Sequence, residues 1–277
     1  MHLTALPDRE VAALLVARPD LAAPPSSSFL ALATRAGAQG SIEHALAGLD
    51  APTLAVAEAV VALSGPTESE ETEGGGGTRT AEGDGSDGNV QSKGEPADPA
   101  DAGLTGLVAA HLPLSTEQVA EALGHLHRLA LVVEGRPVAA LEAAFGPHPF
   151  GLGPWAAEPL SAEQLPPTLE ELSEDAAGEP VVPAASVEML QALTWGPPAG
   201  TLRSGGRAPG AAPLIERGWL ERSSDSRGRT RFILPRQVAL ALRGGRLTRE
   251  SLTAPEAGEL ETVGGDVVAS ESSFHAE

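Results

Sequence analysis

The chain has 277 residues, 42% of them hydrophobic, and carries 38 acidic against 18 basic side chains for a net charge of −20. That length gives room for about two small domains. Cysteine is absent, which excludes disulfides, thiolate chemistry and cysteine-ligated zinc. Tyrosine is absent too, and the apolar content is mostly Ala, Leu and Val, a palette suited to helices more than to a large sheet. No apolar run reaches the roughly 18–20 residues of a membrane span, and no Arg-led apolar leader opens the chain. A soluble, cytoplasmic protein without a membrane partner is expected.

Residues 1–64 read as helices throughout. Pro7 sits in the first turn of a helix whose Val11, Leu14 and Leu15 share a face, ending before Pro19. A Pro-Pro-Ser-Ser-Ser stretch opens a second helix around Phe29 and Leu32, closed by Gly37 and Gly40. Ser41 is positioned to cap a third helix carrying Ile42, Ala45, Leu46 and Leu49, and Asp50 a fourth. In that fourth helix Leu54, Ala57, Val60 and Val61 recur at helical spacing. All four read as amphipathic, with no chemistry visible on them.

Residues 65–103 hold ten acids, two bases and almost no apolar side chain. Such a segment cannot bury enough surface to offset its ordering entropy, so an acidic disordered insert is expected. It is either a loop insertion or an acidic arm that mimics DNA or binds a partner. Order is expected to return at Leu104. Ser115 and Gln118 have capping-box spacing and open a helix through Leu129, with Val119, Ala122, Leu123, Leu126 and Leu129 as its buried face. LALVVEGRPVAAL then reads as two short strands around a Glu134-Gly135 turn. Helices followed by a hairpin give a winged-helix-like domain over 1–145. Its hairpin bears Glu134 and Arg136, a pairing with no strong pull on phosphate, so it reads as structural or protein-facing.

Residues 146–183 are rich in Gly and Pro and read as a connection between domains. A second winged-helix-like domain spans 184–249. Val187, Leu190 and Leu193 share a helical face that ends at Trp195, and a basic Gly-rich loop follows. A short helix stops at Gly218. A first strand runs from Trp219 to Arg222 and a second from Thr230 to Leu234, joined by a loop over 223–229. A Pro-initiated helix from Pro235 to Arg243 completes the unit. Residues 250–277 contain seven acids and no Arg or Lys, and read as an acidic disordered tail. The fold class is therefore mainly α with small β-hairpins (α+β), as tandem winged-helix-like modules.

Enzymatic chemistry finds little purchase. The chain has one lysine, Lys93, and no phosphate-cradling loop around it, so a nucleotide-driven motor is excluded. No nucleophile elbow is present. His125 and His127, two apart on a helix, point about 200° apart and cannot chelate together. Glu170-Glu171 and Glu174-Asp175 read as solvated carboxylates, and Gly205-Gly206 lacks the strand that a dinucleotide loop needs. No metal, no cofactor and no catalytic residue is assigned.

The arginines remain. Residues 203–249 hold 11 basic against 3 acidic side chains, a local +8 in a chain of −20. Arg227, Arg229 and Arg231 are the expected contacts to DNA phosphate, with Arg222 and Arg236 supporting the edge of the patch. Strand alternation puts Arg229 and Arg231 on one face, opposite Thr230 and Phe232. Guanidinium stays charged and reads phosphate bidentately. The alternative is that these arginines pair with the chain's own acids.

Four pieces of the sequence carry a resemblance: LPDREVAALLVARPDL near the start, GPHPFGLGPW, LQALTWGPPAGTL, and LIERGWLERSSDSRGRTRFILPRQVALALRGG. In this order they resemble the N-terminal part of bacterial helicase-associated-domain proteins, labelled XPB-like, over roughly residues 1–64 and 104–252. The resemblance implies tandem winged-helix-like modules that bind DNA or dock onto a DNA-processing partner. Members usually continue into a further domain named for the helicase C-terminal region, before which this sequence stops. The function expected is a non-enzymatic DNA-binding accessory module, with a helicase or a transcription or repair protein as a possible partner. Two alternatives stand beside it: a protein–protein scaffold, and a truncated helicase subunit lacking its motor.

Overall fold

Local capping signals place the first helices. The structure is a computed structural model that describes residues 7–65, 99–174, 181–201, 208–224 and 228–252. It is mainly helical with two small antiparallel sheets. Helix α1 (Asp8–Ala17) follows Pro7, and a short α2 (Pro19–Ala22) starts directly on Pro19. Proline is at home in a first turn, so Pro19 ends one helix by opening the next. Helix α3 (Phe29–Ala36) is capped by Ser28, whose hydroxyl accepts from the Ala31 N–H at 3.2 Å. Helix α4 (Gln39–Ala47) begins two residues before the expected Ser41 cap. Ser41 instead hydrogen-bonds both Arg18 and Asp20.

Helix α5 (Ala51–Leu63) is capped by Asp50, which accepts from the Thr53 N–H at 2.9 Å. It is not the amphipathic helix its spacing implied. Val56, Ala57, Ala59, Val60 and Ala62 are all 0% exposed, so the helix is apolar nearly all round, as a central helix must be. Its neighbours are α6 (Pro99–Ala109), α7 (Thr116–Arg128) and α8 (Ala139–Phe145). Small Ala and Val side chains let those neighbours approach closely.

Helix α6 starts at Pro99, so residues 99–103, expected to belong to the disordered insert over 65–103, are helical instead; residues 66–98 lie outside the described residues. The α7 capping box forms as its spacing requires: Ser115 Oγ accepts from the Gln118 N–H at 3.2 Å, and Gln118 Oε1 accepts from the Ser115 N–H at 2.9 Å. Beyond α7, β1 (Val132–Val133) and β2 (Arg136–Pro137) pair antiparallel. Glu134 and Gly135 between them both have positive φ, which matches the right-handed twist of a tight hairpin.

The remaining elements are α9 (Leu169–Glu174), α10 (Ala184–Thr194), β3 (Ala199–Thr201), α11 (Ala211–Glu216), β4 (Glu221–Ser224), β5 (Thr230–Ile233) and α12 (Arg236–Leu242). Gly218 ends α11 at φ 71°, and the Trp219 N–H reaches back to the Leu214 carbonyl at 2.8 Å. Strand β4 therefore starts at Glu221. Trp219 is spent on the core, its indole N–H donating to the Gln164 carbonyl at 2.6 Å.

The described parts of the Gly/Pro-rich stretch over 146–183 bring Leu152 and Val182 into the core. Leu152 is 0% exposed, and a Cβ on Gly153 would lie 2.1 Å from the Leu234 carbonyl oxygen. One apolar cluster runs from Ile42 to Leu247 and includes Leu152, Val182, Leu190, Leu214 and Val238. A smaller cluster joins Val11, Leu14, Leu21, Leu32, Ala36 and Ala130. Between its helices sits Arg18, 1% exposed, donating to the Ala36 and Leu129 carbonyls at 3.2 and 3.3 Å and to Asp20 at 3.3 Å. Burial pushes the Asp20 carboxyl up, but hydrogen bonds from Ser41 and Arg18 and the Arg18 charge hold it below its ordinary value.

Two expected outcomes follow from this packing. Gly153→Ala must displace the Leu234 backbone and should cost about 2–3 kcal/mol, read as a lower denaturation midpoint at unchanged slope. Glu58, on α5, accepts the Phe150 N–H at 2.6 Å, and burial raises its carboxyl above the ordinary 4.5. The native state thus holds this proton more tightly than the unfolded chain, and stability falls as pH rises from 4.5 through the raised value. Glu58→Gln keeps the acceptor and removes the titration. Urea denaturation across that window should show a shallower decline for the variant, and superimposable profiles would rule Glu58 out as the cause.

Candidate nucleic-acid interface

Strand pairing decides where the hairpin arginines go. The second sheet has the order β3-β5-β4, with β5 central. Thr201 and Ser223 both pair with Arg231, and Arg222 pairs with Phe232. Residues directly opposite one another share a face. Thr201, Arg231 and Ser223 therefore form one row, and Phe232, 7% exposed, faces the core on the other side. The expected separation of Arg231 from Phe232 is present. Arg222, however, shares the face of Phe232, so the arginines of the hairpin do not form a single row.

Arg222 and Arg229 are exposed and Arg231 is half-buried. Arg227 lies outside the described residues. Among the described residues no carboxylate is within ion-pair distance of Arg222 or Arg231. The neighbouring Glu221 is committed elsewhere, its Oε1 accepting the Ala157 N–H at 2.9 Å.

Arg236 is a correction. It is 7% exposed, its Nε donates to the Gly153 carbonyl at 2.9 Å and its Nη1 to the Ala62 carbonyl at 2.8 Å. Its guanidinium lies 5.4 Å from the centre of the Trp155 ring. Burial pulls its pKa below the ordinary value. A side chain so enclosed cannot meet phosphate, and Arg236 is structural. As the first residue of α12 it looked exposed in sequence, because nothing local signals that the start of this helix is buried.

A second basic group was not singled out from the sequence. Arg243, at the end of α12, is 3% exposed and donates to the Thr194 carbonyl at 2.7 Å and the Phe150 carbonyl at 3.1 Å. It lies 4.3 Å from the centre of the Trp195 ring, and Arg249 lies 4.8 Å from the same ring. Burial, reinforced by the Arg249 charge, pushes the Arg243 pKa down to about 10. The recurrence of Arg at 243, 246 and 249 was visible in the sequence; its convergence on Trp195 was not.

Among the described residues there is no grouping of His, Asp or Glu that could hold a metal ion, and no helix is long and apolar enough to cross a membrane. Comparison with protein-family models, with curated proteins and with solved structures returns no match.

The two kinds of arginine should separate on mutation. Arg236→Ala strips donors from two buried carbonyls and should cost about 2–4 kcal/mol, whereas Arg222→Ala should change stability by less than about 0.5 kcal/mol. Equal denaturation midpoints for the two variants would contradict the assignment of Arg236 to the core.

Proposed function

We propose that the chain is a non-enzymatic, cytoplasmic DNA-binding accessory module of the helicase-associated kind that its sequence resembles. It contacts backbone phosphate through the β4–β5 hairpin. The observation that carries this reading is the segregation of charge. A chain of −20 concentrates +8 within residues 203–249, and the hairpin inside that segment carries Arg222 and Arg231, which meet no carboxylate among the described residues. The strand order β3-β5-β4, with α11 between β3 and β4 and an exposed hairpin beyond it, supports a winged-helix-like layout for this unit.

Contact of this kind positions a protein on a duplex without reading its sequence. Arg229 and Arg231 supply the main contacts, Arg227 lies between the strands in sequence, and Arg222 reaches phosphate only from the reverse face. Affinity arises chiefly from counterion release, so it weakens steeply with salt. No nucleotide loop accompanies the hairpin, so any motor activity belongs to a partner such as a helicase or a transcription or repair protein.

One observation favours a protein-docking scaffold as a second reading. Around the groove lined by Val11, Leu15, Leu21 and Leu32, the N-terminal helices expose Phe29 at 48% and Leu30 at 76%, and Val16 nearby is 82% exposed. A contiguous exposed apolar patch is a feature of protein interaction sites.

Fluorescence anisotropy of a labelled duplex at varied salt distinguishes the two readings. If four arginines neutralise phosphates, log K against log salt has a slope of roughly −3.6, and Arg229→Ala with Arg231→Ala flattens it by about 1.8. An unchanged slope in the double variant removes the hairpin from the interface. No duplex binding by the unmodified chain at low salt leaves the scaffold reading.

A further inference from the structure

Gly244 and Gly245, at φ 62° and 79°, reverse the chain after α12. Only a residue tolerant of positive φ makes this turn cheaply. The reversal brings Arg246 and Arg249 back beside Arg243 at the rim of a cleft of about 600 Å³, which Thr168, Glu170, Trp195 and the three arginines line. Arg243 spends its hydrogen bonds on the Thr194 and Phe150 carbonyls and contributes charge from below. Arg249 is exposed and lies over Trp195. Arg246 is 61% exposed, and its Nη2 is 3.6 Å from Glu170, itself 81% exposed.

Among the described residues lining the cleft, Glu170 is the only carboxylate, against three guanidiniums. The neighbouring Glu171 turns its carboxylate to the Thr168 N–H and hydroxyl, each at 2.8 Å. An ion pair as exposed as Arg246–Glu170 contributes little and reorganises readily. The cleft therefore presents an excess of two positive charges, beside a half-buried indole that holds one of the guanidiniums in place by cation–π attraction.

We propose that this cleft is a site for a phosphate monoester dianion, held by Arg246 and Arg249 with Arg243 as a fixed positive charge behind them. Guanidinium forks match phosphate oxygens bidentately, and the excess charge of the cleft equals that of the dianion. The group can come from a free phosphate compound or from the phosphorylated end of a nucleic acid strand. The site stands on different residues from the hairpin and does not depend on the hairpin's role.

Titration calorimetry of the full chain with inorganic phosphate tests this. Saturable binding is expected, weakened at least tenfold by Arg246→Ala with Arg249→Ala and unchanged by Arg229→Ala with Arg231→Ala. Glu170→Gln removes the competing carboxylate and should tighten binding severalfold, a gain that a misfolded variant cannot produce. Competition by a 5′-phosphorylated oligonucleotide but not its 5′-hydroxyl counterpart assigns the cleft to strand ends; phosphate binding without such competition assigns it to a free phosphate compound. Absence of saturable binding, or equal binding by the Arg246 and Arg249 variant, overturns the proposal.

Discussion

Each α-helix ends with carbonyl groups that have no partner within the helix, and a protein that turns those ends inward must bring donors to them. Among the described residues three buried arginines do so, at four helix ends. Arg18 donates to Ala36, the last residue of α3, and to Leu129 just past α7. Arg236 donates to Ala62 in the last turn of α5, and Arg243 to Thr194, the last residue of α10. The negative end of the helix dipole lies where each guanidinium arrives, so charge and hydrogen bond act in the same direction. Two of the three also lie against an indole, Arg236 on Trp155 and Arg243 on Trp195. Of these three, only Arg18 has a carboxylate partner among the described residues, Asp20. For the other two, carbonyl dipoles and ring faces oppose the cost of burying the cation, while burial draws both pKa values down, for Arg243 together with the Arg249 charge.

This use of arginine changes what the charge of the chain means. Composition counts every guanidinium in residues 203–249 as surface potential, yet Arg236 and Arg243 are internal. The field available to a polyanion is correspondingly smaller and divided between the hairpin and the cleft at Trp195. A weak, salt-sensitive contact fits that division better than a tight one.

The parts of the fold that were legible in the sequence are those fixed by neighbours within a few residues. The Ser115–Gln118 box, the Asp50 cap, the Glu134-Gly135 turn and the stop at Gly218 are all of this kind. Ser41 had the local appearance of a cap and lost that role to Arg18, more than twenty residues away. Arg236 could not be read correctly because its partners lie 83 and 174 residues away, and Arg243 because Thr194 is 49 residues away. The Gly/Pro-rich stretch misled for the same reason. Gly153 resembles a spacer until the Leu234 backbone is placed against it. Of the hairpin site, the second strand and the face of Arg231 were legible from alternation, whereas the first strand starts two residues later than expected and the face of Arg222 required the register.

Helix α12 connects these observations. Its first N–H donates to the Pro154 carbonyl at 2.8 Å, and Gln237 accepts the Ala156 N–H at 3.0 Å, so its start is fixed to the segment that follows Gly153. Its far end is fixed through Arg243 to α10 and to Phe150. Strand β5 runs directly into it through buried Leu234, and the cleft-forming turn leaves it at Gly244. Seven residues of helix span about 10 Å. On the functions proposed above, the two phosphate-contacting surfaces are thus held at the two ends of one short rigid strut. The buried arginines set their relative placement without touching a ligand. Loosening either anchor would disturb both surfaces together, which is why only exposed arginines can tell them apart.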